Sequence, residues 1–327
     1  MKQVSIIMGF PCSGKSTIVK DYINNGWTRL NRDDHGGSID DLHAKLDVEM
    51  AKGTEKLVLD NTYGTVEKRE EITRLAKKHC YRSVCVWLAS TAEDAQFNSA
   101  SRILTKFHNV GNCFGSPEPY EMLGPDIGGI KDSDAIPVIA LFAYKKKFEK
   151  PTKDEGWDEI SKFKFERKWN EIDPFVNYSR KAVIFDYDDT LRKTKSGDKF
   201  PCNPDDIEIL PNRIEKLKEL DKQGLLMLGC SNQSGIEKGT LSMETAIACF
   251  DRTNELLGFD IDVKFCPHHS FPIRCYCRKP LAGIAAYFCH KYELYLPDCI
   301  MVGDQTSDKT FAKRAGMQFV HANEFFK

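Results

Sequence analysis

The chain has 327 residues, 41% of them hydrophobic and 29% charged, with a formal net charge of -1. That composition excludes a disordered chain, and the balanced charge excludes a globally polycationic surface, so any affinity for nucleic acid must come from a local patch. No apolar run reaches the ~18 residues of a membrane span, so no membrane is expected as partner, and the length favours two domains with separate cores.

Met1-Lys2 leads directly into an apolar strand over residues 3–8, without the layout of a signal peptide. An intracellular protein is therefore expected, cytoplasmic or nuclear, with its 12 cysteines reduced and some of them ligating metal. Gly9-Phe10-Pro11-Cys12-Ser13-Gly14-Lys15-Ser16-Thr17 follows the strand and precedes a helical pattern. In that setting Gly9 and Gly14 let backbone N–H groups turn around phosphate oxygens, at the positive end of a helix that continues through Thr17. Lys15 reaches the terminal phosphates and the Ser16 hydroxyl ligates Mg²⁺, so ATP or another nucleoside triphosphate is the expected ligand.

Residues 27–34 read as a brief strand ending in Asp33-Asp34. Phosphoryl transfer to an alcohol needs a carboxylate that orients and deprotonates the hydroxyl, and Asp33 is the candidate; capping the helix expected from Ile39 is the alternative use. A third strand ends in Asp60-Asn61-Thr62. Asp60 could sit near the metal or hold Arg32, and Asn61 could line the acceptor or cap the helix expected from Thr65. Helices over 65–78 and 91–106 carry Arg69 and Arg102, each either solvated or swung over the transferring phosphate. Residues 108–133, rich in Gly and Pro and without periodicity, read as a lid near the acceptor. A helix over 136–148 ends in Lys145-Lys146-Lys147, which suits a polyanion or simple solvation.

Residues 6–17, Asn31-Arg32-Asp33, Leu59-Asp60-Asn61-Thr62 and the run Phe142 to Thr152 together resemble the kinase domain of polynucleotide kinase 3′-phosphatases, over most of residues 1–165. The resemblance implies that Asp33 is the base on a 5′-hydroxyl and that Lys15 grips the donor phosphates; Arg102, from its helix, is kept as a candidate nucleotide contact.

Residues 166–180 read as a connector and 181–327 as the second domain. Lys181-Ala182-Val183-Ile184-Phe185 is a buried strand, and Asp186-Tyr187-Asp188 leaves two carboxylates at its carboxyl edge. Asp186 is the candidate nucleophile, through an aspartyl-phosphate, and Asp188 the acid/base. A carboxylate attacking a phosphate dianion needs Mg²⁺ and a cation beside it. A strand over 225–230 leads to Ser231-Asn232, able to hold phosphate oxygens, and Lys279 follows a loop. A strand over 300–303 ends at Asp304, with Asp308 on the next helix. Asp186, Asp188, Asp304 and Asp308 are the candidate Mg²⁺ ligands. Taken singly, Ser231 could be a turn, Lys279 a surface lysine and Asp304 a helix cap.

The ordered set resembles the haloacid dehalogenase phosphatases, although Asp189 stands where many members carry glycine. Cys266-Pro267-His268-His269 and Cys275-Tyr276-Cys277 place three thiols and an imidazole within a dozen residues, which suits a structural Zn²⁺ clamping the loop that delivers Lys279, with free buried cysteines as the alternative. This loop is similar to that of zinc-loop phosphatases acting on histidinol phosphate and heptose bisphosphate, and the resemblance implies Cys266, His268, Cys275 and Cys277 as the zinc ligands, with His269 as spare. Thr194-Lys195-Ser196-Gly197-Asp198-Lys199-Phe200-Pro201, by contrast, resembles the phosphatase half of polynucleotide kinase 3′-phosphatases.

The expected architecture is α/β, with two doubly wound parallel-sheet domains and a minimal cap on the second. The expected function is end healing, 5′-phosphorylation and 3′-phosphate removal on DNA or RNA ends, with a nucleic-acid ligase as candidate partner. A small-molecule kinase fused to a metabolite phosphatase, and a nucleotide-dependent binding module, are the alternatives.

Overall fold

Residues Val4 to Met8 and Ala182 to Phe185 are buried without a break. Continuous apolar runs of this kind belong to strands covered on both faces, as in a parallel sheet between helices. The computed structural model describes residues 1–108, 123, 136–173 and 176–327. These form two compact units, Met1–Ser99 with Ile139–Arg167, and Ala100–Val138 with Lys168–Lys327.

The elements begin with β1 (Gln3–Met8), α1 (Lys15–Asn24), β2 (Thr28–Asn31), α2 (Arg32–His35), α3 (Ile39–Lys52) and β3 (Lys56–Asp60). They continue with α4 (Val66–His79), β4 (Arg82–Ala89), α5 (Ala92–His108), α6 (Val138–Lys147) and β5 (Glu159–Lys164). In the second half come β6 (Ala182–Phe185), β7 (Arg192–Thr194), β8 (Ile207–Ile209), α7 (Arg213–Lys222), β9 (Leu226–Asn232) and α8 (Met243–Leu257). The chain closes with β10 (Asp262–Cys266), α9 (Gly283–Tyr292), β11 (Ile300–Gly303), α10 (Thr306–Ala315), β12 (Gln318–His321) and α11 (Ala322–Phe325).

The first unit's sheet has the order β2-β3-β1-β4-β5 and the second's β10-β9-β6-β11-β12, every pair parallel. The α/β architecture with two parallel sheets is thus present. In the second sheet the order reverses beside β6, which puts the ends of β9, β6 and β11 at one crevice. The only addition to this layer among the described residues is a small antiparallel pair, β7 with β8.

The sequence reading missed β5. Its residues, for which no element was expected, pair with β4 through Trp87↔Lys162 and Ala89↔Lys164. The strand is an edge and mostly exposed, so it lacks the apolar run that marks a buried strand. The lid expected over 108–133 lies outside the described residues, apart from His108 and Leu123. No helix among the described residues is long and apolar enough to cross a membrane.

Arg69 is not a mobile arginine. It is fully buried, and its Nε and Nη2 donate to Glu155 at 2.7 and 2.8 Å while Nη1 donates to the Tyr63 carbonyl at 2.9 Å. Burial pushes the Glu155 carboxyl up, but hydrogen bonds from Arg69, the Thr152 N–H and the Trp157 indole outweigh it and hold the group below the usual glutamate range. A folded pKa below the unfolded one stabilises the fold above the ordinary glutamate pKa, and that stability drains as pH falls through the folded value. Arg69→Met is therefore expected to cost about 3–5 kcal/mol by leaving Glu155 buried alone, as read by urea unfolding of the first unit. Glu155→Gln should flatten the acid limb of its stability profile below about pH 4; an unchanged limb would assign the acid sensitivity elsewhere.

Candidate active sites

In the first unit β1 ends and the chain turns through Gly9 to Gly14 before α1 begins at Lys15. Gly14 is the cap of that helix with φ 88°, a left-handed conformation that glycine adopts without strain. Lys15 Nζ donates to the carbonyls of Gly9 and Phe10 at 3.2 and 2.7 Å, folding the ammonium over the loop. Ser16 and Thr17 are exposed in the first turn, which carries no acidic residue to oppose an anion. The Ser13 hydroxyl is buried inside the loop with no hydrogen-bond partner. An orphaned hydroxyl, a helix N-terminus and a lysine on one loop fit a polyphosphate.

β3 and β2 lie beside β1 in that order, so their carboxyl ends open on the same edge of the sheet. Asp33 sits there in α2, highly exposed, with Arg32 Nη2 3.7 Å away. The cap of α2 is Asn31, which accepts from the Asp33 N–H at 2.6 Å, and α3 is capped by Ser38. Asp33 is therefore spent on neither cap. Asp60 is buried and holds Arg29 at 2.6 Å rather than Arg32. Asn61 Oδ1 accepts from the Thr62 N–H at 2.8 Å, a local turn contact. Tyr144 of α6 donates to the Thr62 carbonyl at 2.9 Å, and its ring packs edge-on against Phe10 at 4.7 Å. Lys145 pairs with Glu93 at 3.2 Å. Arg102 lies half-buried on α5, past Ser99, where the first unit's residues break off.

In the second unit Asp186 and Asp188 follow β6, Ser231 is the last residue but one of β9, and Asp304 follows β11. Lys279 joins them through its buried ammonium, 2.8 Å from Asp186 Oδ1, 2.7 Å from Asp308 Oδ1 and 2.9 Å from the Cys230 carbonyl. Burial opposes that charge, yet Asp186 and Asp308 outweigh it and hold Lys279 above the usual lysine range. Burial also pushes Asp186 up to about 7, with the Asp308 and Asp188 charges adding to the rise and Lys279 opposing it. Asp304 is raised by burial and by Asp308.

The oxygens of Asp186, Asp304 and Asp308 lie within 4.8 Å of one another, and Asp304 Oδ1 is buried with no hydrogen-bond partner. Three carboxylates against one ammonium leave negative charge uncompensated, so this donor set fits a hard divalent cation. Asp308 is brought in because Gly303 has no side chain; a Cβ there would collide with its carboxylate. Asp188 stands apart from those three: its carboxylate accepts from Arg192 at 2.9 Å and Gln233 at 3.2 Å. Asp186, Asp188, Ser231, Gln233 and Lys279, with Arg278 and Phe200, line a cavity of about 210 Å³.

Three features escaped the sequence reading. Asn232, expected on phosphate oxygens, clamps the Lys279 peptide with both atoms of its amide at 3.0 Å. Gln233 bridges Asp188 and Ser231, donating to the Ser231 hydroxyl at 3.0 Å. Arg192 is buried on Asp188. The sole signal was its place four residues after a candidate acid/base, in a stretch too short to show a pattern.

At the end of β10, Cys266 Sγ lies 3.6 Å from Cys275 Sγ and 3.4 Å from His268 Nδ1, and Cys277 Sγ lies 3.3 Å from the same nitrogen. Ligands on one tetrahedral ion of thiolate and imidazole type stand about 3.5–3.8 Å apart, so the four residues fit a single metal. Hydrogen bonds from Cys266 and Cys277 hold the Cys275 thiol well below the usual range. His269 is outside the group and donates its N–H to Glu237. Every described cysteine is free of disulfide.

Residues 181–326 match the family model described as polynucleotide kinase 3 phosphatase. A D-glycero-alpha-D-manno-heptose-1,7-bisphosphate 7-phosphatase of Photorhabdus laumondii is 33% identical over 147 residues, 42% of this chain and 79% of the relative. A bifunctional polynucleotide phosphatase/kinase of Schizosaccharomyces pombe is 26% identical over 176 residues, 52% of this chain but 36% of the relative. Among solved structures, the D,D-heptose 1,7-bisphosphate phosphatase of Bordetella bronchiseptica, complexed with magnesium and phosphate, aligns with TM-score 0.39 and 26% identity over 43% of this chain and 79% of that one. With the acid–lysine cluster at the crevice of a parallel sheet, the family and sequence matches make the chain, through residues 181–326, a member of the haloacid dehalogenase phosphatases that include the polynucleotide kinase 3 phosphatase and heptose-bisphosphate phosphatase families.

Proposed function

We propose that this chain heals nucleic-acid ends, adding the γ-phosphate of ATP to a 5′-hydroxyl and removing a 3′-phosphate. The observation that carries the phosphatase half is Lys279, buried between Asp186 and Asp308 at 2.8 and 2.7 Å beneath a cavity that Asp188 and Ser231 also line. Asp186 attacks phosphorus as the ester bond breaks, giving an aspartyl-phosphate, and Asp188 gives its proton to the leaving oxygen. Asp188 then takes a proton from the water that attacks this intermediate, which releases phosphate and restores Asp186. The Ser231 hydroxyl and the Lys279 ammonium hold phosphate oxygens throughout. Asp186, Asp304 and Asp308 would hold Mg²⁺, which when bound offsets the repulsion between carboxylate and phosphate dianion. Cys266, His268, Cys275 and Cys277 would hold Zn²⁺ as a brace for the loop that carries Lys279.

In the kinase half, Lys15 exchanges the Gly9 and Phe10 carbonyls for the terminal phosphates, and exposed Asp33 orients the acceptor hydroxyl. Support for a polynucleotide substrate comes from the Schizosaccharomyces pombe relative, a bifunctional polynucleotide phosphatase/kinase. A metabolite bisphosphate is the second reading, favoured by the thiol–imidazole loop and the heptose-bisphosphatase relative. An oligonucleotide with a 5′-hydroxyl and a 3′-phosphate, given ATP and Mg²⁺, should gain one phosphate and lose the other, faster than heptose 1,7-bisphosphate is dephosphorylated. Turnover of the sugar bisphosphate alone would reverse the choice.

A further inference from the structure

We propose that Arg192 is a positioning residue for proton transfer, holding the Asp188 carboxyl so that one defined oxygen carries the proton toward the cleft. The proposal rests on the aspartyl-phosphate reading and concerns this chain's own residues.

A fully buried guanidinium is costly unless its donors are matched. Arg192 is 1% exposed, and Nε and Nη1 are matched: Nε donates to Asp188 Oδ1 at 2.9 Å, and Nη1 to the Cys249 carbonyl at 2.7 Å and to Thr253 Oγ1 at 2.8 Å. Its plane lies near the rings of Phe250 and Tyr187, 4.8 and 5.5 Å from their centres. Cys249, Phe250 and Thr253 all belong to α8, so a rigid helix fixes where the guanidinium stands. Asp188 is thereby held from outside its own loop.

The contacts distinguish the two oxygens of Asp188. Oδ1 faces a permanent cation that has no acceptor lone pair and cannot give up its proton. Oδ2 faces the Gln233 amide at 3.2 Å, which is shared with Ser231 among the residues lining the cavity. A proton on Asp188 therefore resides on Oδ2, the side from which a leaving oxygen is reached. In the first step the bond from phosphorus to the leaving oxygen breaks as the Asp186 oxygen bonds to phosphorus, and the Oδ2 proton passes to the leaving oxygen, giving an alcohol. Asp188 is left as a carboxylate against the Arg192 guanidinium, which stabilises the product of proton donation in a poorly screened site.

This role separates substrates by leaving group. An alkyl phosphate needs the proton, whereas p-nitrophenyl phosphate expels a stable phenolate without it, and general acid assistance is worth about 10²–10⁴-fold. Single-turnover release by the full chain with Mg²⁺ should show Arg192→Met slowed at least about a hundredfold on β-glycerophosphate but less than about threefold on p-nitrophenyl phosphate. Arg192→Lys, which keeps the charge without the planar fork, should fall between. Should Arg192→Met melt before assay, Thr253→Val removes one anchor of the guanidinium and should show the same substrate bias more weakly. Equal losses on both substrates, or no loss on either, would overturn the role. Because both probes are small phosphomonoesters, failure of the nucleic-acid assignment leaves the result intact. Release of p-nitrophenolate by Asp186→Asn at the wild-type rate would instead remove the aspartyl-phosphate reading itself.

Discussion

Asp186→Asn is expected to abolish 3′-dephosphorylation while leaving 5′-phosphorylation intact, and Lys15→Ala is expected to do the reverse. Loss of a covalent nucleophile removes a whole reaction path, so the phosphatase should fall on the order of 10⁴-fold or more. The amide of Asn is close in shape to the carboxylate, and Lys279 would keep Asp308 as partner at 2.7 Å, so the loss should come without unfolding. Lys15 donates to loop carbonyls on a separate sheet, and removing its ammonium takes away the only side-chain charge within the Gly9 to Thr17 loop. Following both ends of one labelled oligonucleotide reads the two activities together. Loss of both from either substitution would show that a single site does both jobs.

Stripping the metal from the thiol–imidazole group, or changing Cys277 to Ser, should have the second-largest effect. Three of the contacts among the four candidate ligand atoms span 3.3–3.6 Å, a spacing that places polar sulfur and nitrogen against one another and that one ion would neutralise. Structural zinc contributes on the order of 10 kcal/mol to the folding of small domains, and here it would act on one loop of a larger unit. That loop runs from Cys277 through Arg278 to Lys279, so its loosening releases the ammonium from Asp186 and Asp308. Purified protein should carry one zinc per chain. Cys277→Ser should lose it, melt at lower temperature in its second unit, and keep ATP-dependent labelling. Absence of zinc from active wild-type protein, by elemental analysis, would exclude the brace.

Asp189 is a smaller departure with a conformational signature. It takes a left-handed φ of 59° where many relatives carry glycine, and its charge helps raise Asp304. Aspartate tolerates that conformation better than most residues, which explains how the fold accommodates it.

The sequence by itself determined the two parallel sheets and which polar residues stand at their edges. A strand followed by a phosphate loop, or by Asp-x-Asp, is a local pattern of apolar run, turn and polar end, and such patterns are written within about ten residues. The same holds for Cys266, His268, Cys275 and Cys277, which needed no long-range knowledge to be grouped. What the tertiary structure decided are the pairings between distant segments: Arg69 with Glu155 rather than with a phosphate, Asp60 with Arg29, Asn232 with the Lys279 peptide, and Arg192 between Asp188 and α8. An edge strand such as β5 belongs with them, since it is defined by the neighbour it pairs with and not by its own burial. A polar side chain of one type can cap, bind or brace, and only the groups that folding brings within about 3 Å decide which of these it does.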